Sequence, residues 1–279
     1  MVLLTVTLMG GIGNQLFQIA TAYTYAKKHG IELLLVRDWD CQADRPPVWK
    51  GYLDSNKWNT CSRGEFHILP WTLVSEQGFH YSLINSPNSI EHIGFIRLYG
   101  YFQSSKYFSE YAEELRELLK PPIENMMKAK NLNCDGWTAA HVRRGDYVNA
   151  TPYHLVCSPA YYTGSRSTID TSVGKESPVC WITDDTTWVQ EHLVRPGDMV
   201  ISGDSIDDFT ILMRFKNMIL SNSSFSWWAA WLNPEGHTDR KICCPNRWFG
   251  PLGPSNYESV FESDWLRIDT NSGNLIAQL

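Results

Sequence analysis

Residues 2–36 read VLLTVTLMGGIGNQLFQIATAYTYAKKHGIELLLV, and this stretch decides the fold class. Val2, Leu3, Leu4, Val6 and Leu8 form an apolar run of sheet-favouring residues. Gly10-Gly11-Ile12-Gly13-Asn14 makes a flexible turn. From Gln15 to His29, Leu16, Ile19, Ala20, Tyr23 and Ala26 recur on one helical face. Gly30 supplies a C-terminal stop, and Ile31 to Val36 reads as a second strand. A strand, a glycine loop, a helix and a strand in that order predict a parallel sheet in an α/β fold.

Outward from this unit the pattern loosens between Arg37 and Gly94, where Pro46-Pro47, Asn56, Gly64, Pro70 and Pro87 break any periodicity. Phe95 to Phe102 reads as a strand. Tyr107 to Leu119 reads as an amphipathic helix with Phe108, Tyr111, Leu115 and Leu118 inward, ended by Pro121-Pro122. The polar stretch Ile123 to Asp135 reads as a linker. Strands follow at Trp137–Val142, Val179–Ile182, Met199–Ser202, Met218–Leu220 and Lys241–Cys243, with helices at Trp188–Leu193, Ile206–Arg214 and Phe225–Leu232. Two Rossmann-like domains are expected, 1–125 and 136–279.

The 279 residues are 43% hydrophobic, enough for two buried cores. Lys plus Arg is 24 and Asp plus Glu is 30, giving a net charge of −6, so the basic footprint of a nucleic-acid binder is missing. Local arginine pairs can still hold a phosphate. The apolar opening from Met1 to Met9 is far short of the ~20 residues of a spanning helix and lacks the basic leader of a secretory signal. Seven cysteines without a C-x-x-C pair argue against zinc and for reduced thiols, with a Cys41–Cys61 bridge left open. The sequons at Asn149 and Asn222 read as chance matches.

Four polar clusters stand where predicted strands end, the place where ligands bind in open α/β sheets. Gly10 to Asn14 allows close backbone approach to a phosphate or sugar. Leu16 replaces the third glycine of a dinucleotide fingerprint, although Asp38 stands near the position of a ribose-binding acid. His141-Val142-Arg143-Arg144-Gly145-Asp146-Tyr147 places His141 and Arg143 on one face of a strand. An arginine there either binds phosphate or makes a surface ion pair with Asp146, worth at most ~1 kcal/mol. Asp184-Asp185 fits a helix cap or a ligand-orienting acid better than a metal pair. Ser205-x-x-Asp208 resembles a capping box, and Asp204 a turn residue. Ser221-Asn222-Ser223-Ser224 opens a helix and offers an anion site or a bare cap, while Trp227, Trp228 and Trp231 read mostly as core. Together these clusters allow transfer from a phosphate-activated donor.

GGIGNQLFQIATAYTYAKKHG, HVRRGDYV, WITDD and LSNSSFSWWAAWLNP, spread from Met9 to Pro234, resemble the ordered motifs of the α-1,2-fucosyltransferases of glycosyltransferase family 11. The resemblance implies a GT-B-like enzyme, two Rossmann-like domains facing a central cleft. It further implies that L-fucose moves from GDP-β-L-fucose to the 2-hydroxyl of a terminal galactoside with inversion. No cofactor or metal is implied; the donor substrate is GDP-fucose and the partner is an acceptor glycan. On this resemblance Arg143, with Arg144 beside it, neutralises the diphosphate. Gly11, Gly13 and Asn14 line the fucosyl-diphosphate site, with His141 also on the donor side. Ser223, Ser224 and Phe225 donate to phosphates, and Asp184 or Asp185, then Asp204 or Asp208, orient the nucleoside. Asp146 is the candidate base, ahead of His154 and His29. Domain 1–125 falls on the acceptor side and 136–279 on the donor side. The start close to the first strand gives the expectation of a cytoplasmic enzyme, from a bacterium or virus, free or peripheral to a membrane. A fucosyltransferase of another linkage, a nicotinamide-dependent oxidoreductase and a sugar-nucleotide or glycan binding module without turnover are the rival readings.

Overall fold

The computed structural model describes residues 2–38, 46–84, 94–133, 135–233 and 239–276. Its strands are β1 (Leu3–Val6), β2 (Glu32–Leu33), β3 (Leu35–Val36), β4 (Thr60–Cys61), β5 (Thr72–Ser75), β6 (Phe95–Tyr99), β7 (Thr138–Val142), β8 (Val179–Thr183), β9 (Met199–Ile201), β10 (Asn217–Ile219), β11 (Ile242–Pro245) and β12 (Leu266–Ile268). Its helices are α1 (Ile12–His29), α2 (Arg63–His67), α3 (Ala112–Leu118), α4 (Ile123–Lys130), α5 (Gly145–Val148), α6 (Pro159–Val173), α7 (Thr186–His192), α8 (Ser205–Leu212) and α9 (Ser224–Trp231). The chain divides into two compact units, Met1–Pro122 with Asn256–Val260, and Ile123–Ser255 with Phe261–Leu279.

In the first unit, β2-β1-β6-β5 form a sheet whose paired strands all run parallel, with Leu4 opposite both Leu33 and Ile96. Leu16, Phe17, Ile19 and Ala20 of α1 are fully buried. The expected strand Ile31–Val36 is split. β2 continues the main sheet, whereas β3 turns to pair with β4, because Leu35 N–H donates to Asn59 rather than to β1. The expected helix Tyr107–Leu119 is regular only over α3. Phe108 adopts a non-helical conformation, and two short 3-10 turns precede it and follow it.

In the second unit, β12-β11-β10-β7-β8-β9 form a six-stranded sheet whose paired strands are all parallel. Every residue of β7 and β8 is buried, as expected for strands covered on both faces. Tyr161, Tyr162, Trp181, Val189 and Ile219 share one core cluster. Trp227 and Trp228 are completely buried and Trp231 nearly so, matching the core reading.

Three features depart from the sequence reading. Ile123–Lys130 is a helix of the second unit, not a linker; Asn125 and Lys128 bond Asp207 on α8 at 2.6 and 3.3 Å. α6 has no apolar stripe, because its buried face includes Ser165 and Arg166. It is nonetheless well begun by Ser158, whose hydroxyl accepts from Tyr161 N, with Pro159 in the first turn. Asn256–Val260 packs with the first unit although it lies within 136–279.

Among the described residues no helix is long and apolar enough to cross a membrane. The five described cysteines are buried; Cys41 of the suggested bridge lies outside the described residues. Asn222 is also buried, its amide donating to Leu155 O and Trp248 O, so its sequon is not presented.

Candidate active site

Register brings the second unit's polar clusters to one edge of the sheet. Val142 pairs with Thr183 and Ala140 with both Trp181 and Ile219, so Arg143, Asp184 and Ser221 all lie just beyond neighbouring strand ends. Arg143 sits between two acids: Nη2 donates to Asp146 Oδ1 at 2.6 Å, and Nη1 meets Asp184 Oδ2 at 2.7 Å. The other Asp184 oxygen accepts Arg144 N–H at 2.8 Å. Gly145 permits this approach, since an added Cβ would stand 2.7 Å from Asp184 Oδ2. Arg144 turns toward α7, where Nε donates to Asp185 Oδ2 at 3.0 Å and the guanidinium lies 4.0 Å from the Trp188 ring centre. Asp185 caps α7 by accepting Trp188 N–H, which with Arg144 holds its carboxyl below the usual range. Two guanidiniums therefore meet three carboxylates on a half-exposed surface.

His141 is buried beneath this cluster. Its Nδ1 lies 2.7 Å from Ser221 Oγ, and its ring stacks on Phe225 at 5.0 Å. Burial, and then Arg143, lower its pKa to about 3, so the imidazole is neutral near pH 7. Ser223 caps α9 by accepting Phe225 N–H at 3.3 Å. That N–H, expected to face a phosphate, is thus already engaged by the cap, whereas Ser224 opens the helix.

Asp204, not Ser205, caps α8 through Ile206 N–H. The expected Ser205–Asp208 capping box is therefore replaced by a single cap bond from Asp204. Asp208 Oδ2 accepts Gly203 N–H at 3.0 Å, while Oδ1 is buried without a hydrogen-bond partner. Burial raises the Asp208 pKa. His154 stacks flat on Tyr147 at 4.3 Å, with Arg143 over that same ring at 5.5 Å. His29 ends α1 in the first unit, its ring tilted against Tyr25 at 4.3 Å. Among the described residues no group of three His, Cys, Asp or Glu side chains could hold a metal ion.

The turn at the carboxyl end of β1, in the first unit, is confined to Gly10-Gly11; α1 begins at Ile12 rather than Gln15, so Gly13 and Asn14 lie in its first turn. Gly10 has φ +71°, and a Cβ there would collide with Asn14 Nδ2. Neutral amides hold this turn. Gln18 Oε1 accepts Met9 N–H at 2.8 Å, and Gln15 donates to Gly10 O and Pro46 O and accepts Val48 N–H. Gln103 Nε2 donates to Asn14 Oδ1 at 2.7 Å. Beside them, Glu76 accepts Tyr101 N–H at 2.8 Å and Phe102 N–H at 3.1 Å, with its pKa raised by burial. The sequence reading singled out Gly11, Gly13 and Asn14 but none of these supports. Gln15 and Gln18 had a legible signal, being polar residues on an otherwise buried helix.

The sequence model described as Glycosyl transferase family 11 matches residues 76–269. An alpha-1,2-colitosyltransferase of Escherichia coli is 27% identical, covering 94% of this chain and 97% of its own. Galactoside alpha-(1,2)-fucosyltransferase 2 of Oryctolagus cuniculus is 24% identical over 98% of this chain and 78% of its own. In fold, the chain resembles the NodZ alpha-1,6-fucosyltransferase soaked with GDP-fucose, with TM-score 0.54 and 16% identity over 84% of this chain and 94% of that one. The architecture is accordingly α/β and GT-B-like, built on parallel sheets.

Proposed function

The chain belongs to glycosyl transferase family 11, and from that premise we propose that it moves L-fucose from GDP-β-L-fucose to the 2-hydroxyl of a terminal galactoside with inversion. The observation that carries this reading is Arg143 at a strand end, held by Asp146 and Asp184 beside the start of α9. As the C1–O bond breaks, negative charge grows on the departing diphosphate. The Arg143 guanidinium, turning from its two carboxylates, and the N-terminus of α9 receive that charge. Arg143, with Arg144 beside it, neutralises the diphosphate; Ser223 and Ser224 at the start of α9 add donors, while the Phe225 N–H stays with the Ser223 cap. His141 supports that surface as a neutral ring. Asp184 and Asp185 fix the arginines, and Asp208, with an unspent carboxylate oxygen, orients the nucleoside.

Asp146 accepts the proton of the attacking hydroxyl as the new bond forms on the face opposite the diphosphate. Gly11, Gly13 and Asn14 line the path of the sugar diphosphate. The domain spanning 1–125 carries the acceptor side and that spanning 136–279 the donor side. The names of the relatives support the α-1,2 linkage, and they also favour a second donor, since one of them is a colitosyltransferase.

The test is GDP release from GDP-fucose and from its colitose counterpart, with lactose as acceptor, with and without EDTA. Faster acceptor-dependent release from GDP-fucose, unaffected by EDTA, supports the proposal. A preference for the colitosyl donor moves the donor assignment. No release with any galactoside, despite GDP binding, removes the acceptor assignment.

A further inference from the structure

The turn after β6 is built to aim one side chain. Phe102 has φ +53°, the only left-handed non-glycine residue among those described. Such a conformation persists only where its surroundings fix it. Here Glu76 fixes it: the carboxylate takes the N–H groups of both Tyr101 and Phe102, and a Cβ on Gly100 would collide with it. Ser104 N–H then closes onto Phe102 O at 2.8 Å. The turn sends Gln103, nearly buried, back to Asn14, 89 residues away in sequence.

An amide has one accepting end and one donating end, and which end faces a ligand is set by its neighbour. Gln103 occupies the oxygen of Asn14. The NH2 end then stands over Gly10, where no Cβ could fit. Resting on the reading that Asn14 meets the sugar nucleotide, we infer that Gln103 is a positioning residue. It holds Asn14 with the NH2 group presented as a donor to an oxygen of the sugar diphosphate, and Glu76 acts behind it by pinning the turn.

Gln103→Glu is the discriminating change, because it keeps the shape but can only accept. It forces the Asn14 amide to turn over and present oxygen to an anionic ligand. The experiment is a double-mutant cycle on wild type, Asn14→Ala, Gln103→Glu and the combined variant. It is read both as the dissociation constant for GDP-fucose by calorimetry and as kcat/KM for GDP-fucose with lactose, and thermal melting checks each fold. We expect Gln103→Glu to lower kcat/KM about tenfold, in line with a lost hydrogen bond to a charged group, and to cost nothing further in the Asn14→Ala background. Glu76→Gln, a second variant in case Gln103→Glu folds poorly, gives a smaller loss that also vanishes in that background. An equal loss with and without Asn14, or no loss from Gln103→Glu, overturns the inference alone. An Asn14→Ala enzyme as active as wild type, or a wild type that does not bind GDP-fucose, overturns the donor reading and this inference with it.

Discussion

Charge holds charge around Arg143, whereas neutral amides hold the turn at Gly10. In the second unit, the Arg143 and Asp146 side chains are about a third exposed, and each such pair is worth at most ~1 kcal/mol. That surface can rearrange when an anion arrives, at little cost to the fold. In the first unit, Gln15 and Gln18 are fully buried, and removing either leaves backbone groups unpaired, at about 1–3 kcal/mol each. The comparison teaches that the arginine cluster should fail in turnover while the fold survives. The amide-held turn should fail in stability first.

The largest effect is expected from Arg143→Ala. It should lower kcat about 10³-fold, the scale of losing a preorganised donor at developing charge, with little change in denaturant midpoint. A large loss of stability would break the comparison. Asp146→Asn comes next: turnover should fall about 10²-fold, the low end for a general base, while GDP affinity by calorimetry stays within about twofold. Unchanged turnover would remove Asp146 from the chemistry and leave it as a holder of Arg143.

Gln18→Leu should cost about 1–3 kcal/mol in urea unfolding, more than Arg143→Ala does. The reverse ranking would erase the distinction between the units.

The effect that is smallest at neutral pH sharpens the comparison as the pH falls. The folded-state pKa of His141 is lowered to about 3 from 6.5. Between those values the unfolded chain binds a proton that the folded chain refuses. His141 therefore leaves stability intact above pH 6.5 and erodes it as pH falls toward 3, by at most about 1.4 kcal/mol per pH unit. His141→Gln should flatten the stability profile between pH 6 and 4, measured by chemical denaturation in matched buffers. An unchanged slope would mean that His141 is charged when folded.

The four strand-end clusters were legible because each combines a strand of β-favouring residues with a polar turn, and strand register alone then gathers three of them in the second unit. What could not be read depends on contacts distant in sequence. α4 buries only Ala129, so its polar surface resembles a linker. α6 turns Arg166 inward to Asp198 at 2.8 Å, which hides its periodicity. Glu76, Gln103 and Asn14 meet only after β1, β5 and β6 pair, and nothing in their local sequence announces it. The cap on α8 moved one residue because the Asp204 carboxylate reaches Ile206 N–H, leaving Asp208 to bond Gly203 instead.

The most direct test of the central claim is the structure of the product. GDP-β-L-fucose and lactose would be incubated with the chain in EDTA, and the purified trisaccharide examined by NMR for linkage position and anomeric configuration. The account predicts a single α-linked fucose on O2 of the galactose. A fucose on another hydroxyl, a retained β configuration, or GDP release without a trisaccharide would contradict it.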